Sequence, residues 1–233
     1  KGVEFSLIKP NKNGRVQPES IEEKIQDNTR LISIMHVNNE LGTINPISKI
    51  ARISHEKGIL FHSDAVQALG KISLNVGDIS VDFLSMSAHK LYGPKGVGAL
   101  FIRKGATLKP MIFGGGQEAN LRASTENIAG IGGFGMAVEL AAMSMKENLE
   151  HITNLETHFI SQLDKRKIDY KINGSDRVPG VLNVTFSNLD GQDLVMQLDI
   201  AGIGISFGAA CASGTAKASN ILLHMGLTEE EAL

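Results

Sequence analysis

Short apolar runs alternate with one-faced helical patterns along the first hundred residues. Residues 3–8 alternate apolar and polar positions and predict a strand, followed by turn residues at 11–14. Residues 18–25 predict a helix with its acidic residues early, where the helix dipole favours them. The run 31–35 predicts a buried strand that ends at Val37-Asn38-Asn39-Glu40. Pro46 opens a helix on which Ile47, Ile50 and Ile53 share a face, and Gly58 closes it. Strands follow at 59–61, 81–86 and 97–103. A long helix is predicted from about Asn127 to Lys165, with Gly130, Gly132, Gly133 and Gly135 in its first turns. Beyond it, 181–186 and 204–207 predict strands and 220–225 a short helix. Strands alternating with helices imply an α/β fold with a parallel or mixed sheet covered on both faces. The expected organisation is a large domain over 1–150 and a smaller α+β domain over 151–233.

The bulk numbers narrow this picture. With 233 residues, 42% of them hydrophobic, the chain suits one large or two modest domains with a real core. The formal net charge is -2 and the densest basic cluster is 165–167, at a predicted helix end, so nucleic acid is not an expected partner. No uninterrupted apolar run reaches the ~18 residues that span a bilayer, so no membrane partner is expected either. One cysteine excludes an intrachain disulfide and fits a reducing, cytoplasmic setting. The first residue is Lys1, and Thr228 with Glu231 forms a capping box for a helix that stops at Leu233. The sequence therefore reads as a piece of a longer polypeptide.

Chemistry-bearing residues gather at strand ends. Asn38-Asn39-Glu40, His62-Ser63-Asp64 and Ser87-Ala88-His89-Lys90 each follow a predicted strand. In open α/β sheets that edge is where ligands bind. A lone strand-end lysine is usually an ordinary loop residue. Here Lys90 opens the glycine-rich turn Leu91-Tyr92-Gly93-Pro94-Lys95-Gly96, where partial desolvation would favour the neutral, imine-forming amine. A lysine, an aspartate, an asparagine and hydroxyls suit pyridoxal phosphate: an imine partner, a carboxylate for the pyridine nitrogen and donors for the phosphate. The same edge permits a metal site built on His36, His62, Asp64 and His89, although the spacing matches no tight metal signature. Cys211 lies in Gly208-Ala209-Ala210-Cys211-Ala212-Ser213-Gly214; composition alone fits a buried small hydrophobe and an exposed reactive thiol equally.

The blocks 36–47, 61–71, 87–105 (SAHKLYGPKGVGALFIRKG) and 114–118 (GGGQE) closely resemble the group I, NifS/IscS-like cysteine desulfurases. These are fold-type I pyridoxal-phosphate enzymes of the class V aminotransferase superfamily, and the likeness runs over essentially the whole chain. The resemblance implies conversion of L-cysteine to L-alanine with a persulfide on Cys211, the sulfur going to a protein acceptor such as an iron–sulfur scaffold, or to tRNA thiolation. By that resemblance Lys90, Cys211 and His89 are the catalytic residues. Lys90 forms the imine and moves the Cα proton, Asp64 pairs with the pyridine nitrogen, and Gln67 meets the phenolic oxygen of the cofactor. Ser87 and His89 contact its phosphate, and Asn39 lies between cofactor and substrate carboxylate. Thr125 reaches the phosphate of the partner subunit, which implies a homodimer. The chain departs from the family at Ala119-Asn120, where an arginine and a glycine are usual, and at Phe207, where a small residue is usual. The competing functions are another class V aminotransferase or lyase, including selenocysteine lyase, a non-catalytic scaffold and, more remotely, a metal hydrolase.

Overall fold

A computed structural model describes residues 2–187, 189–208 and 218–232. Their contacts divide the chain into two compact units that do not follow a single cut: Asn28–Met35 with Ile47–Lys146, and Lys1–Asp27 with His36–Pro46 and Glu147–Leu233.

The unit containing Ile47–Lys146 is built on a four-stranded sheet of order β1-β2-β3-β4. Its strands are β1 (Leu31–Met35), β2 (Leu60–Asp64), β3 (Phe83–Ser87) and β4 (Gly98–Ile102). The β1–β2 and β2–β3 pairs are parallel and β3–β4 is antiparallel. The ten residues between β3 and β4 are too few for the crossover that a parallel return needs. Between β1 and β2 runs α2 (Ile47–Glu56), which buries Ile47, Ile50 and Ala51. The short α3 (Val76–Ile79) precedes β3, its Asn75 side chain accepting from the Gly77 N–H. A second cluster joins Ala88 and Leu91, just after β3, to Phe134 and Ala137 of α4 (Ile128–Lys165).

At the end of the sheet away from Lys90, Asp82 is fully buried and gathers four donors. Its carboxylate accepts from the Phe61 N–H at 2.7 Å, lies 2.9 Å from His55 Nε2, and accepts from Arg103 Nε and Nη2. Burial alone would push this acid up; the Phe61 amide, His55 and Arg103 together hold it below the ordinary carboxylate range.

The other unit holds α1 (Pro18–Glu22), the antiparallel pair β5 (Tyr170–Asn173) and β6 (Asn183–Phe186), and the helices α5 (Gly191–Ile200), α6 (Asn220–Met225) and α7 (Glu229–Ala232). Leu41 packs with Leu222, Met225 and Ala232 in its core. The Thr228/Glu231 capping box forms as expected, with reciprocal bonds between side chains and backbone N–H groups.

Four expectations are corrected. Residues 3–8 form no strand, with Val3, Phe5 and Leu7 exposed, because no described strand lies beside them to take their backbone bonds. Residues 204–207 likewise form no strand. The first helix ends at Glu22 rather than at Ile25. Finally, α4 is long and apolar enough to cross a membrane by length and composition, since only Glu139 is charged between Ile128 and Met145. One such helix is weak ground for a span, because core helices pass the same test and α4 contributes Phe134 and Ala137 to a core.

Candidate functional site

Asp64 is the last residue of β2 and sits beside Met35 of β1 and Ser85 of β3 in register. Its Oδ1 accepts from the Val66 N–H at 2.8 Å, which starts the turn after the strand. Oδ2 has no partner among the described residues and remains open to a donor. Asp64 shares a sheet face with His62, whose ring is held from both sides: Ser33 Oγ lies 2.7 Å from Nδ1 and Ser85 Oγ 2.8 Å from Nε2. Burial pushes His62 below its ordinary value and the Asp64 charge opposes the shift. This serine–histidine–serine chain was not foreseen, although alternation on three adjacent strands puts Ser33, His62 and Ser85 on one face.

After Asp64 the backbone winds through a helical turn, with the Leu69 N–H on the Ala65 carbonyl. That winding brings Gln67 and Lys71, four residues apart, side by side: Lys71 Nζ donates to Gln67 Oε1 at 2.6 Å. Lys71 carries no signal in the sequence of its own, because a single helical turn is too short to show periodicity.

Beyond β3 a 3₁₀ turn, Ala88–Leu91, carries His89 and Lys90. Ala88 and Leu91 anchor it inward, so His89 and Lys90 face out. Lys90 is exposed, against the expectation of partial desolvation, and its ammonium makes no hydrogen bond among the described residues. Ser87 Oγ lies 2.7 Å from His89 Nδ1. One sheet edge thus brings together Asp64, Gln67, Ser87, His89 and Lys90. Thr125 belongs to the same unit but sits in an exposed loop, and no hydrogen bond joins it to these five. Asn39 belongs to the other unit, in a turn where Asn38 Oδ1 accepts from the Glu40 and Leu41 N–H groups and Ser219 Oγ donates to Glu40 Oε2 at 2.6 Å. Cys211 lies outside the described residues.

The metal alternative finds no support: among the described residues no group of three His, Cys, Asp or Glu side chains could hold an ion. His36 is buried, and burial pushes it down to about 4. By contrast the edge fits pyridoxal phosphate. Among the described residues it offers an amine free to form an imine, a carboxylate oxygen free to hold a ring N–H, and a carboxamide whose Nε2 has no partner.

The loop leading to Thr125 is backbone-strained. Glu118, Ala119, Asn120 and Ser124 have φ of 49, 55, 65 and 93°. Asparagine tolerates the left-handed region, which suits Asn120 to the place of a family glycine. Serine at 93° does not rest easily there. Ser124→Gly is expected to raise stability by about 1 kcal/mol. Urea unfolding checks this, and the Ser124 N–H bond to Gln117 Oε1 would survive the change. An unchanged or lowered midpoint would mean that Ser124 carries no strain.

The family model described as aminotransferase class-V matches residues 1–229. Cysteine desulfurase IscS of Dictyoglomus turgidum is 46% identical over 223 residues, which are 95% of this chain and 57% of that protein. Cysteine desulfurase IscS of Clostridium botulinum is 46% identical over 235 residues, covering 99% of this chain and 59% of that protein. Among solved structures, a NifS-like protein superposes with a TM-score of 0.89 at 36% identity, covering 99% of this chain and 61% of its own. SspA in complex with cysteine superposes with a TM-score of 0.79 at 36% identity, over 99% of this chain and 64% of its own. The chain spans about three-fifths of the length of the curated relatives it matches.

Proposed function

Because the chain belongs to the class-V aminotransferase family and shares its fold-type I architecture, we propose that the protein is a pyridoxal-phosphate-dependent cysteine desulfurase. The observation that carries this reading is the free amine of Lys90 and the open oxygen of Asp64 on one sheet edge, in a chain 46% identical to IscS desulfurases.

Pyridoxal phosphate, when bound, supplies an electron sink for negative charge at the substrate Cα. The chain's own residues do the rest. Lys90 attaches the cofactor, then accepts and returns the Cα proton. Asp64 Oδ2 keeps the pyridine nitrogen protonated. Gln67 Nε2 donates to the phenolic oxygen, while Ser87 and His89 hold the phosphate and Thr125 reaches that of the partner subunit. Asn39 orients the substrate carboxylate. The Cys211 thiolate attacks the sulfur of L-cysteine: an S–S bond forms, the Cβ–S bond breaks, and its electron pair takes up a proton at Cβ. The products balance as L-alanine and a Cys211 persulfide. The sulfur then passes to a protein acceptor such as an iron–sulfur scaffold. Exposed Ile128, Met136, Leu140 and Met143 on α4 support a homodimer, and a chemistry that needs a reduced thiol supports a cytoplasmic setting.

The complete polypeptide, given pyridoxal phosphate and L-cysteine, is expected to release alanine and to gain one sulfur atom at Cys211, read by mass after alkylation. Alanine without that sulfur would remove Cys211 from the mechanism. No alanine would overturn the reading.

A further inference from the structure

Lysine has three donors and no acceptor, so the atom of Gln67 that meets Lys71 must be the amide oxygen. The 2.6 Å bond between Lys71 Nζ and Gln67 Oε1 therefore fixes both ends of the carboxamide: the acceptor is occupied and Nε2 has no partner among the described residues. We propose that Lys71 is a positioning residue for the cofactor, holding the Gln67 amide so that its N–H2 faces the phenolic oxygen of pyridoxal phosphate. The inference rests on the reading that Gln67 meets that oxygen. Without Lys71, the amide can rotate by half a turn and present its oxygen, which would repel a phenolate.

The surroundings support this role. Burial first, and the Lys90 charge second, push the Lys71 amine below its ordinary value, and its hydrogen bond among the described residues is the one to Gln67. The charged group facing it from the neighbouring turn is Lys90. Leu69, in the same turn as Lys71, packs against the apolar cluster that includes Phe134 and Ala137 of α4.

The test is a pH titration of the absorption of bound pyridoxal phosphate in the holoenzyme. A donor on the phenolic oxygen favours its negative form, so losing the donor makes the oxygen and the adjoining imine keep their shared proton to higher pH. Lys71→Met is expected to raise the midpoint by about one pH unit, and Lys71→Arg, which keeps charge and donors, to leave it within a few tenths. In a Gln67→Leu background, Lys71→Met is expected to add less than half of that shift, because its effect runs through the amide. An unchanged midpoint in Lys71→Met, or the full shift without Gln67, would overturn the proposal. Borohydride fixation of the cofactor, mapped by mass, separates the two levels. A wild-type adduct absent from Lys90 overturns the cofactor reading and this inference with it, whereas an adduct on Lys90 with an unmoved midpoint overturns this inference alone.

Discussion

Replacing Lys90 with alanine in the complete polypeptide is expected to lower kcat/KM for alanine release from L-cysteine by at least about 10³-fold. On the proposed reading two roles fall to one amine, attachment of the cofactor and transfer of the Cα proton. A second lysine near the edge, Lys71, is engaged with Gln67 Oε1. Lys90 by contrast projects from a turn anchored by Ala88 and Leu91, with its ammonium unengaged. The loss should come with loss of the yellow, borohydride-fixable adduct, while the fold stays intact because the exposed side chain packs against nothing in the core. A Lys90→Ala protein that retains activity within tenfold of wild type would take Lys90 out of the mechanism.

The second large effect concerns acid stability and His36. This histidine is 7% exposed, its Nδ1 has no partner among the described residues, and burial pushes it down to about 4. Unfolded, it would bind a proton near 6.5. Between those values the unfolded chain holds the extra proton, so stability falls as pH falls through the window from 6.5 to 4. Across that window the loss should reach about 3 kcal/mol. Asp82 acts elsewhere: its folded value is depressed, so its contribution is present above the ordinary carboxylate range and disappears only below it. His62 adds to the His36 effect in the same direction. Urea unfolding from pH 7.5 to 4.5 of wild type and His36→Gln separates them, since the substitution should flatten most of the slope. Parallel slopes in the two proteins would assign the acid lability to other groups.

Much of this was legible in the chain. The strands β1, β2 and β3 are short apolar runs that end in polar residues, and that ending is what placed Asp64 and Lys90 on one edge. The antiparallel return of β4 was also implicit, in the short Gly- and Pro-containing link after Lys90. What could not be read depends on partners distant in sequence. Residues 3–8 have strand composition, but a strand exists only when a neighbour takes its backbone groups. The helix α5 is hard to read because Asp190-Gly191-Gln192-Asp193 has the composition of a turn; its signal is Asp190 as a cap, the side chain accepting from the Gln192 and Asp193 N–H groups. The Gln67–Lys71 bond was missed because its helical spacing is hidden in a turn too short to show periodicity.

Asp82 gives the molecule a way to be harmed at a distance. Side chains alternate across a strand, so sliding β3 by one position along β2 would turn Ser87 to the opposite face and rotate the turn that presents Lys90. At the edge that carries Lys90, Ser87 Oγ reaches only its near neighbour His89 among the described residues, and the side chain that ties β3 to β2 there is Ser85, through His62 Nε2. A stronger restraint lies at the other end of the strand, where one carboxylate is clasped by Phe61, His55 and Arg103 from β2, α2 and the residue after β4. A substitution at Arg103, on the surface and remote from any reacting atom, would thus act like a loosened peg on a stringed instrument: the string is whole, and the note is wrong.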